Sequence, residues 1–99
     1  MTSSNLRFHP QVVQDLQQAF NWYEEQADGL GGLFYTEVDA RLDDIIRQPD
    51  IFGRAFDGLD YRFARLRKFP YLTIFRLSGS TVEVLGIFHT ASNPDKWRR

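Results

Sequence analysis

Cysteine is absent from this 99-residue chain. That excludes a disulfide framework and thiolate chemistry and leaves the redox compartment open. Long apolar runs are missing as well: no stretch approaches the roughly 20 residues needed to cross a bilayer. The polar start MTSSNLRFHP lacks the basic-then-apolar layout of an export signal, so the expectation is a cytoplasmic protein with no membrane association. With two His and no Cys, no metal site is expected. The glycine-rich GLGG at Gly29–Gly32 has no strand before it and lacks dinucleotide spacing, so no cofactor is expected either. A charge excess of one sign is also missing, since the net charge is -1, which argues against indiscriminate binding to nucleic acid.

What is present is apolar and aromatic. A hydrophobic fraction of 42% with nine Phe is more than a disordered chain carries, and residues 1–99 suffice for one domain around one core. The near-neutral total conceals a split. Residues 1–50 hold three Arg against nine acids, and residues 51–99 hold nine Lys or Arg against four acids. Such a division can focus positive potential on one face.

Hydrophobic spacing sets out the elements. Leu6 and Phe8 alternate with Arg7, predicting a strand over Asn5–His9 with one buried face, stopped by Pro10. Val12, Leu16, Ala19, Phe20 and Tyr23 recur at helical steps within Gln11–Ala27, with Val13 widening the stripe and Trp22 at its margin. Gly29 is the expected helix stop. Phe34, Val38, Leu42 and Ile45 mark a second helix from Gly31 to Arg47, broadened by Leu33 and Ile46 and closed by Pro49. Asp39 and Asp43 share its wet side and read as plain surface. Strands follow at Tyr61–Lys68, Tyr71–Leu77 and Thr81–Phe88, with a reversal at Gly79, an interruption at Pro70 and a weak further strand near Ile51–Phe56. The order β-α-α-β-β-β predicts an α+β sandwich, a helical hairpin packed on a mainly antiparallel sheet.

The candidate functional set is basic: Arg62, Arg65, Arg67, Lys68 and Arg76, with His89 at a strand end. Two uses are open. Cleavage of RNA by its own 2′-hydroxyl needs a base, neutralisation of a developing phosphorane and an acid for the departing oxygen. Arginine serves the second task and is a poor base, so His89 is the natural acid or base. Alternatively the cations anchor a protein partner, which needs no pKa tuning.

The chain resembles the ParE/RelE superfamily of bacterial toxins from type II toxin–antitoxin modules, closer to its ParE-like branch. The residues that carry the resemblance are FHPQVVQDLQQAFNWYEEQADGLGGLFYTEVDARLDDIIRQPDIFG, then YRFARLRKFPYLTIFRL, then VLGIFHTASNPDKW. It implies a helical hairpin against a curved sheet and a cognate antitoxin wrapped around the toxin in a hetero-oligomer. The family's strand Arg maps to Arg62, its FPY to Phe69, Pro70 and Tyr71, and its terminal His, Pro and Trp to His89, Pro94 and Trp97. Relatives usually carry Arg three residues after that His, where this chain has Ser92. RelE-like members cut mRNA on the ribosome, and ParE-like members inhibit DNA gyrase without nuclease chemistry. The missing guanidinium and the near-zero charge favour the second. The resulting expectation is a gyrase-binding toxin whose contacts are Arg62, Arg65, Arg67, Lys68 and Arg76, supported by Phe69, Tyr71 and Trp97. The alternatives are an mRNA endonuclease using Arg62 and His89 against ribosome and mRNA, and a non-toxic interaction module.

Overall fold

A computed structural model describes residues 5–54 and 60–97. The chain begins with β1 (Asn5–Phe8), followed by helices α1 (Val12–Gln26) and α2 (Leu30–Arg47). Strands β2 (Tyr61–Arg65), β3 (Tyr71–Ser78) and β4 (Thr81–His89) complete a sheet of order β1-β4-β3-β2. The pairs β2–β3 and β3–β4 are antiparallel, and β1 joins β4 in parallel. The expected β-α-α-β-β-β order and helical hairpin are therefore present. The differences are local. Strand β2 stops at Arg65 rather than Lys68. Pro49–Ile51 is a short 3-10 turn, and Arg54 makes only a single bridge to Arg62. The rest of that weak strand lies outside the described residues.

Helix α1 starts where Pro10 ends the β1 ladder, and His9 Nδ1 accepts the otherwise unpaired Gln11 amide at 3.1 Å. The hairpin link is tight. Gly29 has φ +86, a conformation open to glycine. The Glu24 carboxylate of α1 accepts the Gly29 and Gly31 amides at 3.2 and 2.7 Å, capping α2 from the neighbouring helix. A Cβ on Gly31 would lie 2.7 Å from the Phe20 ring, so the helices meet through a gap that only glycine leaves.

Both helices bury the faces that their spacing predicts. Val12, Ala19 and Tyr23 of α1 and Phe34, Val38, Leu42 and Ile45 of α2 form the main core with Ala64, Phe75, Val82, Val84 and Ile87 of the sheet. Val13 and Leu33 do not widen those stripes; they are 71% and 61% exposed. Phe8 is also exposed, so β1 buries only Leu6 in part. The sheet's other face carries a smaller cluster of Leu72, Ile74, Leu85 and Phe88, partly covered by Tyr61, Phe63 and Trp97. One irregularity links the two layers. The β3–β4 register shifts between Ile74 and Phe75, leaving Leu85 as an extra residue in β4. Val84 and Ile87 consequently both face the helices, although strict alternation would oppose them.

Candidate functional site

The basic residues singled out above do not form one surface. Arg62 and Arg65 are three apart in β2 and therefore point to opposite faces. Arg62 opposes Phe75 on the helix side, where its Nη1 donates to the Phe52 carbonyl at 3.2 Å and its Nη2 lies 4.0 Å from Asp60. Its side chain is 17% exposed, and Nε is buried without a hydrogen-bond partner among the described residues. Arg65 opposes Leu72 on the other face and is exposed. Arg76 shares that face and meets Glu83 across the ladder, Nε at 2.9 Å and Nη2 at 2.8 Å from the same oxygen. Arg67 and Lys68 lie past the end of β2, in the turn that leads into β3. Of the supporting aromatics, Phe69 and Tyr71 pack with Tyr23 and Phe34 against the main core, at ring separations of 4.8 to 6.0 Å. Trp97 stacks on Phe88 at 6.4 Å beneath the opposite face.

His89 ends β4 opposite Tyr71, with the rings edge to face at 5.1 Å. Its Nδ1 accepts the Ala91 amide at 3.0 Å, which leaves Nε2 as the group able to meet a ligand. Ser92, where the resemblance expects arginine, is occupied within the molecule. Its hydroxyl donates to the His89 carbonyl at 2.7 Å and accepts the Trp97 indole N–H at 3.0 Å. Beside His89, Trp22, Tyr23, Pro70 and Tyr71 enclose an aromatic recess of about 570 Å³. Burial first, and then the neighbouring Tyr71, raises the Tyr23 pKa; burial raises that of Tyr71. Both hydroxyls are thus neutral donors at physiological pH.

A second recess was not apparent from the strand-centred reading. Arg41, Asp44, Arg47, Gln48, Ile51, Phe52 and Arg67 line a groove of about 600 Å³ between α2, the 3-10 turn and the β2–β3 turn. Asp44 is the carboxylate shared by three guanidinium groups: Arg41 at 3.1 Å, Arg47 at 3.5 Å and Arg67 at 4.0 Å. Arg41 is fixed by donation from Nε to the Arg65 carbonyl at 2.7 Å, and its guanidinium lies 5.0 Å from the centre of the Phe52 ring. Arg47 and Arg67 are held loosely and are each 74% exposed. The signal for this groove lay in the three-residue spacing of Arg41, Asp44 and Arg47 at the end of α2, which the apolar stripe of the helix overshadowed.

With this geometry in view, the relatives are informative. The family model described as "ParE toxin of type II toxin-antitoxin system, parDE" matches residues 6–94. Toxin ParE2 of Mycobacterium tuberculosis, in strains CDC 1551 / Oshkosh and ATCC 25618 / H37Rv, is 33% identical over 91 residues, which is 91% of this chain and 85% of the relative. Among solved structures, the chromosomal ParDE system of P. aeruginosa superposes with a TM-score of 0.70 at 15% identity, over 90% of this chain and 98% of that one. A chain of the intact E. coli RelBE toxin–antitoxin complex gives 0.68 at 16% identity, over 92% of this chain and all of its own. At such identities the structural matches speak for the fold.

Proposed function

Because this chain belongs to the ParE toxin family of type II toxin–antitoxin systems, we propose that it acts by binding DNA gyrase stoichiometrically, without covalent chemistry, and that a cognate antitoxin restrains it in the cytoplasm. The antitoxin follows from the two-component systems in which its relatives are named. The choice of gyrase over mRNA rests on the separation of Arg62 from His89. Arg62 opposes Phe75 and His89 opposes Tyr71. Four residues at about 3.3 Å each place them roughly 13 Å apart along the sheet, and two strand spacings add roughly 10 Å across it. With the Arg62 guanidinium held on the Phe52 carbonyl, the two side chains do not converge on one phosphate position.

The surroundings of His89 support the same reading. Its recess is lined by aromatic rings and proline, and among the described residues no Arg or Lys lines it to neutralise a phosphorane. The position that would supply one is Ser92, committed to the Trp97 turn. Arg62 and Arg76 are tied down within the molecule, whereas Arg67 reaches Asp44 only loosely, at 4.0 Å. Of the candidate cations, Arg65 and Lys68, both exposed and without an ion pair among the described residues, are with Arg67 the ones left to contact the target.

The test is to run two assays on one purified preparation, gyrase supercoiling and ribosome-dependent mRNA cleavage. Supercoiling is expected to fall with toxin concentration while mRNA stays whole. The Arg65→Glu/Lys68→Glu variant is expected to inhibit at least about tenfold less well. Cleaved mRNA with normal supercoiling would reverse the assignment.

A further inference from the structure

The recess beside His89 lacks a group for an anion, and its walls suit an ion of the opposite sign. Its rings meet at steep angles. Trp22 stands at 88° to Tyr23, Tyr23 at 61° to Tyr71 and Tyr71 at 77° to His89, with centroids 5.1, 6.0 and 5.1 Å apart. Rings so inclined around one hollow form a cage rather than a stack, and Pro70 completes the lining. The cage is held from behind, where Phe34 stacks on Tyr23 at 5.5 Å and Phe69 meets it edge to face at 4.8 Å. Trp22 is the outer wall. It is 55% exposed, a large ring in water that the core between helices and sheet does not use.

The charges around the cage have one sign. Trp22 lies seven residues after Asp15 and three before Glu25, which puts all three on one face of α1, a helix with no Lys or Arg. The adjoining hollow shares Trp22, Tyr71 and His89 and brings in Asp15 with Gln18 and Ser92. Among the described residues, no Lys or Arg lines either hollow. His89 adds no charge in this arrangement, because its Nδ1 accepts the Ala91 amide. The faces of tryptophan and tyrosine rings carry negative potential and attract a cation, which neighbouring carboxylates also draw in. A phosphate or carboxylate ligand would find neither a guanidinium nor an ammonium here. A purely apolar ligand would use the rings but gain nothing from Asp15 and Glu25. We propose that this cage binds an organic cation, an ammonium or guanidinium group, carried by a free small molecule or by a lysine or arginine side chain of a bound protein. Neither Trp22 nor Asp15 belongs to the gyrase contacts proposed above, so the cage stands or falls apart from them.

The test follows the indole N–H resonance of Trp22 in the full-length chain by NMR, assigned by its loss in Trp22→Phe. Choline and N-acetyl-arginine amide are the cationic probes. The uncharged carbon isostere of choline and N-acetyl-citrulline amide are their neutral counterparts. One or both cations are expected to shift the resonance saturably and to bind at least about fivefold more tightly than the neutral forms. Tighter binding of choline identifies a free ammonium ligand, and tighter binding of the arginine probe a protein side chain. Trp22→Ala, read from the ring protons of His89, is expected to lower affinity at least about tenfold. Asp15→Asn/Glu25→Gln should lower it about threefold at low salt, and wild-type affinity should fall as salt rises. Neutral probes that bind as tightly as the cations would overturn the proposal and make the recess an apolar seat. It would also be overturned by the absence of a saturable shift with either cation, or by undiminished affinity in the folded Trp22→Ala or Asp15→Asn/Glu25→Gln chain. If Trp22→Ala fails to fold, the comparison of charged and neutral probes on the wild-type chain decides alone.

Discussion

The Asp15 carboxylate accepts the backbone amide of Ile87 at 3.1 Å, although 72 residues separate them. The reason is geometric. β1 pairs with β4 only as far as Val84, and the last contact there is the His9 amide on the Val84 carbonyl at 2.8 Å. Beyond that point no strand pairs with that edge of β4 among the described residues, and α1 supplies a side chain where a strand would have supplied a carbonyl. Ile87 is 3% exposed, so its amide has little water to turn to.

Asp15→Ala is therefore expected to cost about 1–3 kcal/mol, the penalty of a buried donor left unpaired. In a domain of this size that lowers Tm by roughly 4–8 °C for each kcal/mol. Asp15→Asn keeps an acceptor and should lose less. A thermal melt of Asp15→Ala that coincides with wild type would show that the hydrogen bond does not stabilise the fold.

Ser92 offers a sharper functional contrast. Replacing it by arginine introduces the side chain that the resemblance leads one to expect there but removes the hydroxyl that joins the His89 carbonyl to the Trp97 indole. Ser92→Arg should cost about 1 kcal/mol or more in stability and gain no ribosome-dependent cleavage, because Arg62 remains at the other end of the sheet. Primer extension on translated mRNA is the measurement, and new cuts in the Ser92→Arg sample would count against the gyrase reading.

How much of this was legible beforehand depends on the kind of signal. The stripe Phe34, Val38, Leu42 and Ile45 is local and periodic, and all four residues are buried as their spacing requires. The parallel pairing of Asn5–Phe8 with Thr81–Val84 was not legible, because no local pattern names a partner 76 residues away. The bulge at Leu85 defeats simple alternation, so Ile87 and Val84 could not be assigned to the same face from their parity. The basic cluster misled for a related reason. In sequence Arg62, Arg65, Arg67 and Lys68 look contiguous, whereas a strand of period two that ends at Arg65 sends them to two faces and a turn. Glu24 shows the converse. It reads as one more wet acid, yet it caps the neighbouring helix at Gly29 and Gly31.

The buried Tyr23 and the partly buried Tyr71 make the alkaline limit predictable. Tyr23 and Tyr71 have pKa values raised in the folded protein above the ordinary 10.0. A raised pKa means that the folded state resists ionisation while the unfolded chain gains from it. The stabilisation is complete below pH 10 and is lost as pH rises through the folded-state values. Tyr23→Phe/Tyr71→Phe should flatten that decline in urea melts run at increasing pH above 10. Equal slopes for variant and wild type would remove burial of these hydroxyls as the cause.

Arg62 is the position at which family resemblance and geometry make opposite demands. As a target contact it should be accessible, but its guanidinium is held on the helix side by the Phe52 carbonyl at 3.2 Å and is only 17% exposed. Its stem lies over a sheet position opposite Phe75, a fully buried ring. Arg62→Ala should then act on stability, by about 1–3 kcal/mol, since it leaves the Phe52 carbonyl without its donor and strips packing from the β2 edge. Inhibition of supercoiling per folded molecule should stay within about twofold of wild type, a difference of less than 0.5 kcal/mol in binding. Arg65→Glu should show the inverse, with an unchanged melt and weaker inhibition. An Arg62→Ala toxin that melts like wild type yet no longer inhibits gyrase would place this arginine at the target after all, and would mean that the segment around Phe52 opens on binding.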